Sequence, residues 1–404
     1  MLNVGLVFGG VSPEHEVSVI STLQAAAALD TTRFTAVPVY IAKDGTWYTG
    51  RSLLDLQGYR DLDSVTRKAR KVVIDPRYRG KLRLSEPTRF GLRVVADIDV
   101  VLPGLHGGSG ENGGLQGLCE TVDVPYAGSG ILGSSVGMDK CVSKIVCREQ
   151  GIPVVEFAQI REVDWAGREE RQLDALEGYP GLPCVVKPAR LGSSIGIGFA
   201  ATRDELNDRI EEALRYDDKI VVEQAVQNLV EINCSVLGLP GDAIPSVLEQ
   251  PVGSNGAILS YGDKYMRGGS GKGKTTRTGA KSADSAGMAS LDRIIPAPLD
   301  ERRTADIQNV AVRIFTLLEC SGVARIDFMI NSATGQLYFN EINTIPGSFS
   351  FYLWQPAGVD FTALVTRLIE IALHRHRVAE SHIRSYDVNL LSAASLKGLK
   401  GAKG

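Results

Sequence analysis

Two short polar segments contain the side chains whose spacing most clearly suggests chemistry: Arg325 with Asp327, and Glu341 with Asn343. Each adjoins an apolar stretch and a turn-like segment separates them, so the pattern predicts a two-stranded hairpin. Residues two apart on a strand share a face, so each pair lies on one side of its strand. Two carboxylates and an amide oxygen form an oxygen-only ligand set that suits Mg²⁺. The alternative is a cross-strand pair of Arg325 with a carboxylate on a solvated face.

A second group of polar residues follows strand-like segments in the middle of the chain. One strand ends at Lys187 and leads into the glycine- and serine-rich loop 192–196. Backbone N–H groups of such a loop can approach an anion while the lysine supplies positive charge. Glu223 ends a later strand and Glu231 opens the next, where each acid could hold a ribose or an adenine edge. Glycine-rich loops and acids at strand ends are also common without a ligand.

The segment 268–275 matches the phosphate-binding pattern G-x-x-x-x-G-K-[ST]. A true site of this kind leaves a buried strand and enters a helix. Polar sequence precedes this segment, and the residues after it show no apolar period. The stretch 268–287 is rich in Gly, Ser, Lys and Ala and is typical of a mobile loop. We therefore interpret the match as a coincidence of composition.

Length and composition predict a globular protein of two or three domains, because 404 residues with 44% hydrophobic content can bury a large core. A formal net charge of −3 gives no overall attraction to nucleic acid or to an anionic membrane. No signal peptide and no membrane-spanning apolar stretch of about 20 residues is apparent. The six cysteines lack CxxC spacing and indicate a reducing compartment. We expect a soluble, cytoplasmic protein.

The order of predicted elements places the chain in the α/β and α+β classes. The first ~135 residues alternate strands and helices, as in an open parallel sheet. A helix is expected from Ser134 to about Gln150, with Lys140 in its first turns. From Cys184 onward short strands alternate with a helix, and a long helix precedes the Arg325 hairpin. A helix at 362–374 and a polar Lys/Gly tail close the chain.

The motifs taken together resemble the ATP-grasp family and, within it, the D-alanine–D-alanine ligases. Their order and separations agree from about residue 3 to 375. The matching segments are GGVSPEHEVS at 9–18, LHGGSGENGGLQG at 105–117, MDK at 138–140, KPARLGSSIG at 187–196, DKY at 263–265, RID at 325–327 and NEINTIPG at 340–347. The resemblance implies a Rossmann-like N-terminal substrate domain (1–137), followed by a two-part ATP-grasp fold with a central part (138–222), a C-terminal part (223–378) and a tail (379–404).

The same resemblance implies ATP and two Mg²⁺ ions, or Mn²⁺ in their place, as cofactors. It assigns the ATP phosphates to Lys140, Lys187 and Lys264, adenine and ribose to Glu223 and Glu231, and the metal ions to Asp327, Glu341 and Asn343. It also implies a homodimer that acts on small amino acids. These roles follow from the family, and the spacing of the residues alone leaves them open.

For the amino acid substrates the resemblance implies a second set of residues. Glu14 would hold the ammonium of the first D-alanine, with Ser193 and Tyr265 completing a hydrogen-bonded group across the site. Arg325 and the backbone N–H of Gly347 would stabilise an oxyanion, and His106 would lie near the first carboxylate. Such a site can activate a carboxylate as an acyl phosphate before an amine attacks it. A lid that excludes water would protect the acyl phosphate.

One position departs from the family pattern. Many members carry a serine five residues after the glycine that corresponds to Gly347, and it is thought to hold the second carboxylate. Tyr352 occupies that position here and either donates a hydrogen bond to the substrate or packs in the core. The loop 268–288 is also longer than expected.

We predict a D-alanine–D-alanine ligase for peptidoglycan synthesis. The alternatives are a ligase with another acceptor, such as a D-hydroxy acid, and a nucleotide-binding regulator without catalysis.

Overall fold

The computed structural model describes residues 1–252, 293–385 and 388–389, which form three β-sheets with flanking helices. The expected positions Lys264 and Tyr265, the segment 268–275 and most of the tail 379–404 lie outside these residues. No helix in the described ranges is long and apolar enough to cross a membrane.

The first sheet has seven strands in the order β6-β5-β4-β3-β2-β1-β7. They are β1 Leu2–Gly9, β2 Phe34–Ile41, β3 Trp47–Thr49, β4 Arg70–Ile74, β5 Leu82–Thr88, β6 Gly91–Ile98 and β7 Val100–Pro103. β1 lies between β2 and β7 and is parallel to both. Its apolar run is buried on both faces, as is usual for the centre of a parallel sheet.

The predicted open sheet is present, and the structure corrects the expectation that it is parallel throughout. Only β1, β2 and β7 run parallel, whereas β3 to β6 extend the sheet as antiparallel strands. These added strands face solvent on part of their surface, and Leu92 and Val94 of β6 are exposed. Their sequences therefore lack the continuous apolar run of a buried parallel strand.

Two further sheets follow, and every pair of neighbouring strands in them is antiparallel. The second, in the order β10-β9-β11-β8, contains β8 Phe157–Arg161, β9 Cys184–Pro188, β10 Gly198–Ala200 and β11 Lys219–Gln224. The third, in the order β14-β13-β12-β15-β16, contains β12 Leu229–Gly238, β13 Ile244–Pro251, β14 Arg293–Ile294, β15 Gly322–Asn331 and β16 Gln336–Asn343. The predicted domain boundaries stay predictions.

Twelve α-helices occur in the described ranges. They are α1 His15–Ala27, α2 Leu62–Arg67, α3 Gly108–Glu111, α4 Gly114–Thr121, α5 Ile131–Met138, α6 Lys140–Glu149, α7 Glu162–Trp165, α8 Glu169–Gly178, α9 Arg203–Leu214, α10 Glu301–Leu317, α11 Phe351–Trp354 and α12 Phe361–Glu380. α12 places Leu364 and Leu368 in one apolar cluster with Val4 and Leu6 of β1 and with Val323 of β15. The last helix therefore fastens the first sheet to the third, and the cavity described below lies where the sheets meet.

The predicted hairpin is confirmed as β15 and β16. Asp327 lies opposite Glu341 and Arg325 lies opposite Asn343. A β-bulge follows Asp327 and shifts the register of the remaining pairs. On the other side of β15, Asp327 lies opposite Asn233 of β12. Polar residues of three strands are thus brought to one face of the third sheet.

Candidate active site

A cavity of about 500 Å³ lies between the first sheet and the two later sheets. Twelve of the fifteen expected site residues line it: Glu14, His106, Lys140, Lys187, Ser193, Glu223, Glu231, Arg325, Asp327, Glu341, Asn343 and Gly347. Of the other three, Lys264 and Tyr265 fall outside the described residues, and Tyr352 does not line the cavity. The structure thus brings together residues that are more than 300 positions apart in sequence.

Lys140 begins helix α6 rather than lying inside one long helix. The helix expected from Ser134 to Gln150 is interrupted at Asp139, whose carboxylate caps α6 by accepting the N–H groups of Cys141 and Val142, each at 3.0 Å. A side-chain oxygen at this position satisfies N–H groups that the first turn leaves unbonded. The Lys140 ammonium then reaches Glu341 Oε2 at 3.0 Å.

Three buried lysines surround the carboxylates on one side of the cavity. Lys187 Nζ lies 2.6 Å from Glu223 Oε2 and donates to Asn340 Oδ1 at 3.0 Å. Lys144 Nζ lies 3.1 Å from Glu223 Oε1. Burial alone would raise the pKa of Glu223, but Lys144 and Lys187 together hold it below its usual value. We call Lys140, Lys144, Lys187 and Glu223 the lysine wall.

Sequence reasoning missed Lys144, although it follows Lys140 by one helical turn and shares its face of α6. Its side chain is fully buried and donates to the carbonyl oxygen of Asn340 at 2.5 Å. Burial lowers its pKa, against the opposing effect of Glu223. The available signal was a second lysine four residues after Lys140, on the same face of the helix.

A second part of the cavity lining is acidic and comes from segments next to the first sheet. Glu14 is buried and accepts a hydrogen bond from the Ser193 hydroxyl of the glycine-rich loop. Ser193 and Ser194 have φ values of 54° and 58°, in the left-handed region. A Cβ atom at Gly192 would lie 3.0 Å from the Glu14 carboxylate, so glycine permits this close approach.

Glu111 lies beside Glu14 and was not singled out from the sequence. It accepts N–H hydrogen bonds from Gly107 at 2.9 Å and from Ile345 at 3.2 Å. Burial, reinforced by the nearby Glu14, raises its pKa to about 7. The Ile345 contact joins helix α3 to the segment that leads to Gly347. We call Glu14 and Glu111 the acidic wall.

His106 lies on the same side and is held in place by α1. Its Nε2 is 3.0 Å from the hydroxyl oxygen of Ser21, which also accepts the backbone N–H of Ser348 at 2.8 Å. Burial lowers the pKa of His106 to about 4, so the ring is neutral at physiological pH. A neutral imidazole can donate a hydrogen bond to a substrate carboxylate without adding a charge.

Arg325 and Asp327 form a bidentate pair, with both N···O distances at 2.6 Å. The pair lies along one strand and not across two, and its side chains are only 11% and 12% exposed. The solvated cross-strand pair that the sequence left open is therefore absent here. Burial raises the pKa of Asp327 despite Arg325, and the nearby Glu341 and Glu249 add to the rise. Asn343 Nδ2 donates to the same carboxylate at 3.1 Å.

Comparison with known proteins shows which family has this sequence and fold. Residues 3–129 match the family model of the D-ala D-ala ligase N-terminus, and residues 146–370 match that of the D-ala D-ala ligase C-terminus. The chain belongs to the D-alanine–D-alanine ligase family. Its fold is the ATP-grasp fold of that family, as the sequence predicted.

Relatives of this family cover nearly the whole chain. The D-alanine–D-alanine ligase of Thermosipho melanesiensis is 36% identical over 391 residues, which are 97% of this chain and 98% of the relative. A solved D-alanine–D-alanine ligase from Coxiella burnetii has a TM-score of 0.74 at 27% identity and covers 98% of this chain and 99% of its own. A D-Ala:D-Ser ligase from Enterococcus faecalis has a TM-score of 0.73 at 27% identity, covering 92% of this chain and 99% of its own.

Tyr352, which the sequence predicted to stand in place of a family serine, is not part of the cavity lining. Its hydroxyl donates to Glu249 Oε1 at 3.1 Å, and its ring lies under the guanidinium of Arg293 at 4.0 Å. It also clusters with Leu353. Of the two fates that the sequence left open for Tyr352, these contacts favour core packing, because Glu249 accepts the hydrogen bond of its hydroxyl. Glu249 and Arg293 themselves line the cavity.

Proposed function

We propose that this protein is an ATP-dependent, ADP-forming ligase that joins two D-alanine molecules for peptidoglycan precursor synthesis. Family membership supports the reaction class. The observation that carries the proposal is the polarity of the cavity, whose lining combines the lysine wall with the acidic wall. A lysine wall suits a triphosphate, and an acidic wall suits an ammonium group. Arg325 and Gly347 lie on the same cavity, as the joining step requires.

For ATP we propose that Lys140 and Lys187 neutralise the phosphates, with Lys264 joining them at the γ-phosphate. Glu231 and Glu223 would face ribose and adenine. Glu223 has a second task in this arrangement, because its carboxylate holds the ammonium of Lys187 at 2.6 Å. A buried lysine fixed by such a bond presents its charge without a large loss of side-chain entropy on binding.

The residues proposed for metal binding fit Mg²⁺ by their chemistry and register. Asp327 and Glu341 lie opposite each other on β15 and β16, and Asn343 follows two residues later on the same strand. Their carboxylate and amide oxygens are the donors that Mg²⁺ and Mn²⁺ accept. Bound there, two such ions would neutralise the charge on the phosphate oxygens. In the structure these carboxylates form ion pairs with side chains: Asp327 with Arg325, and Glu341 with Lys140.

The proposed reaction has two steps. A carboxylate oxygen of the first D-alanine attacks the γ-phosphorus of ATP and releases ADP, which leaves an acyl phosphate. The amine of the second D-alanine attacks the acyl carbon, loses a proton and displaces inorganic phosphate. Arg325 and the N–H of Gly347 would meet the developing oxyanion; losing one such donor typically costs about 3 kcal/mol.

The acidic wall orients the first substrate in this proposal. Glu14, held by Ser193, receives its ammonium, and neutral His106 donates to its carboxylate. Tyr265 would extend the hydrogen bonds of Glu14 and Ser193 when its loop covers the site and excludes water. Together these contacts hold the carboxylate toward the γ-phosphate.

We further propose that the protein is a cytoplasmic homodimer, as the family resemblance implies. Light scattering with size-exclusion chromatography measures the mass directly. A mass near 87 kDa, twice the 43.4 kDa chain, supports the dimer, and a mass near 43 kDa refutes it.

An ADP-release assay with ATP, Mg²⁺ and a panel of amino and hydroxy acids tests the function. We expect turnover with D-alanine alone and none with L-alanine. Turnover that requires a second, different acceptor would favour the other-acceptor ligase, an alternative suggested by the replacement of a serine by Tyr352. No ADP with any pair would contradict both ligase functions and favour a nucleotide-binding regulator.

A further inference from the structure

A row of polar side chains crosses four strands of the third sheet and extends beyond the proposed metal ligands. In register, Glu249 lies opposite Asn233, Asn233 opposite Asp327, and Asp327 opposite Glu341. All four line the cavity. The Glu341 end adjoins the lysine wall through Lys140. The Glu249 end lies on the far side of Asp327, away from the lysine wall.

Glu249 is almost completely buried, at 2% exposure, and its carboxylate is held from three sides. Oε1 accepts hydrogen bonds from Asn233 at 3.0 Å and from the Tyr352 hydroxyl at 3.1 Å. Oε2 lies 3.0 Å from Nη1 of Arg293. A carboxylate with this many partners is fixed in place and is better suited to positioning a neighbour than to receiving a substrate.

Arg293 is the neighbour that Glu249 positions. Its guanidinium stacks on the ring of Tyr352 at 4.0 Å and lines the cavity, with a side chain 11% exposed. Stacking and the ion pair together restrict the rotamer of a long side chain. A guanidinium has five N–H donors in a planar fork, so it can hold a carboxylate while it stays bonded to Glu249.

The chemistry of the second substrate requires a group of this kind. An acceptor amino acid brings a carboxylate of its own into a cavity that already contains Asp327 and Glu341, and this negative charge needs a cation. Among the described residues, four lysines and arginines line the cavity: Lys140, Lys187, Arg293 and Arg325. The first two belong to the lysine wall, and Arg325 is already assigned to the oxyanion.

We propose that Arg293, held by Glu249 and Tyr352, recognises the carboxylate of the acceptor amino acid. This inference rests on the proposed function and deepens it by naming the residue that selects the second substrate. Tyr352 then has a role at the position where related chains carry serine. Its ring supports the arginine, and its hydroxyl anchors the glutamate that orients the arginine.

The test uses two acceptors that compete in one reaction. D-Alaninamide lacks the carboxylate, so it can act as acceptor but not as donor. With D-alanine and excess D-alaninamide present, mass spectrometry gives the ratio of D-alanyl-D-alanine to its amide. Because both products come from the same enzyme molecules, the ratio does not depend on how much of a variant is folded.

We expect the wild type to favour D-alanine strongly and R293M to lower this preference at least tenfold. R293K, which keeps the charge and loses the planar fork, should lie between them. E249Q should also lower the preference, since its amide no longer offers two acceptor oxygens. R313M, the same change on the exposed face of α10, is the matched control and should leave the ratio unchanged.

An unchanged product ratio in R293M would overturn the proposal and leave the arginine as a structural ion-pair partner of Glu249. If R293M forms neither product, R293K takes its place in the test. An unchanged product ratio in R293K would then overturn the proposal. Absence of both products in the wild type would instead contradict the proposed function, so the two failures are distinguishable.

Discussion

The lysine wall and the acidic wall both contain a fully buried glutamate, and the two glutamates behave in opposite ways. Glu223 lies between two lysines, which hold its pKa below the usual value. Glu111 is held by two backbone N–H groups and lies near Glu14, and burial raises its pKa to about 7. Burial acts on both alike, so the neighbouring charges decide the outcome. The comparison explains how one cavity can combine a positively charged wall with an acidic wall.

The largest effect is expected at the lysine wall. Replacing Lys187 by methionine removes one of the cations assigned to the ATP phosphates, and kcat/KM for ATP should fall by about 10²- to 10³-fold. Steady-state kinetics with varied ATP measure the change. The exposed Lys81, replaced in the same way, is the control and should leave kcat/KM unaltered. Equal values of kcat/KM for ATP in K187M and K81M would contradict the assignment of the lysine wall to the ATP phosphates.

The second prediction concerns stability. E223Q leaves Lys144 and Lys187 buried without their shared carboxylate, and the free energy of unfolding should fall by about 3 kcal/mol. Urea unfolding without ATP measures it. Adding K144M to E223Q removes one of the two repelling charges, so the double variant should be more stable than E223Q alone. If the double variant is less stable than E223Q, charge repulsion between Lys144 and Lys187 does not determine the stability of the lysine wall.

The third prediction uses pH and the acidic wall. The pKa of Glu111 rises on folding from 4.5 to about 7, so the native state binds the additional proton between these values. The stability that this proton provides is complete below about pH 4.5 and is lost as pH rises through about 7. Relative to E111Q, the wild type should lose about 3 kcal/mol of unfolding free energy across this window. Parallel pH dependences of the two proteins would show that folding does not shift the pKa of Glu111.

The smallest effect is expected for Y352F, which removes a hydroxyl and keeps the ring under Arg293. The lost hydrogen bond to Glu249 should cost about 1 kcal/mol of stability. The ratio of dipeptide to dipeptide amide should change less than threefold, whereas Y352A removes the ring and should change it more. Equal ratios for the two variants would show that stacking does not position the arginine.

Sequence alone predicted the β15–β16 hairpin, the fold class and twelve of the residues that line the cavity, because these depend on the period of apolar residues and on the order of the motifs. It could not predict that β3 to β6 are antiparallel, since half-exposed strands carry a weak apolar pattern. It left two fates open for Tyr352, a hydrogen bond to a substrate or packing in the core. Whether its hydroxyl reaches a ligand or Glu249 depends on a partner 103 residues away in sequence, which local pattern does not reveal.

Lys144, Glu111 and Arg293 were missed for a related reason. Each has a role only through contacts made by folding: Lys144 with Glu223, Glu111 with the N–H of Ile345, and Arg293 with the ring of Tyr352. No pattern of local spacing predicts such contacts. Two of these residues nevertheless carried a usable signal: Lys144 lies one turn after Lys140, and Glu111 lies within the matching segment 105–117.

Isotope transfer from the substrate tests the central claim most directly. With D-alanine labelled by ¹⁸O in both carboxylate oxygens, formation of an acyl phosphate moves one carboxylate oxygen to phosphorus. Our account predicts one ¹⁸O atom in the inorganic phosphate for each molecule of D-alanyl-D-alanine formed. Dipeptide formation with unlabelled phosphate would contradict it, because the carboxylate would then have been activated without attacking the γ-phosphorus.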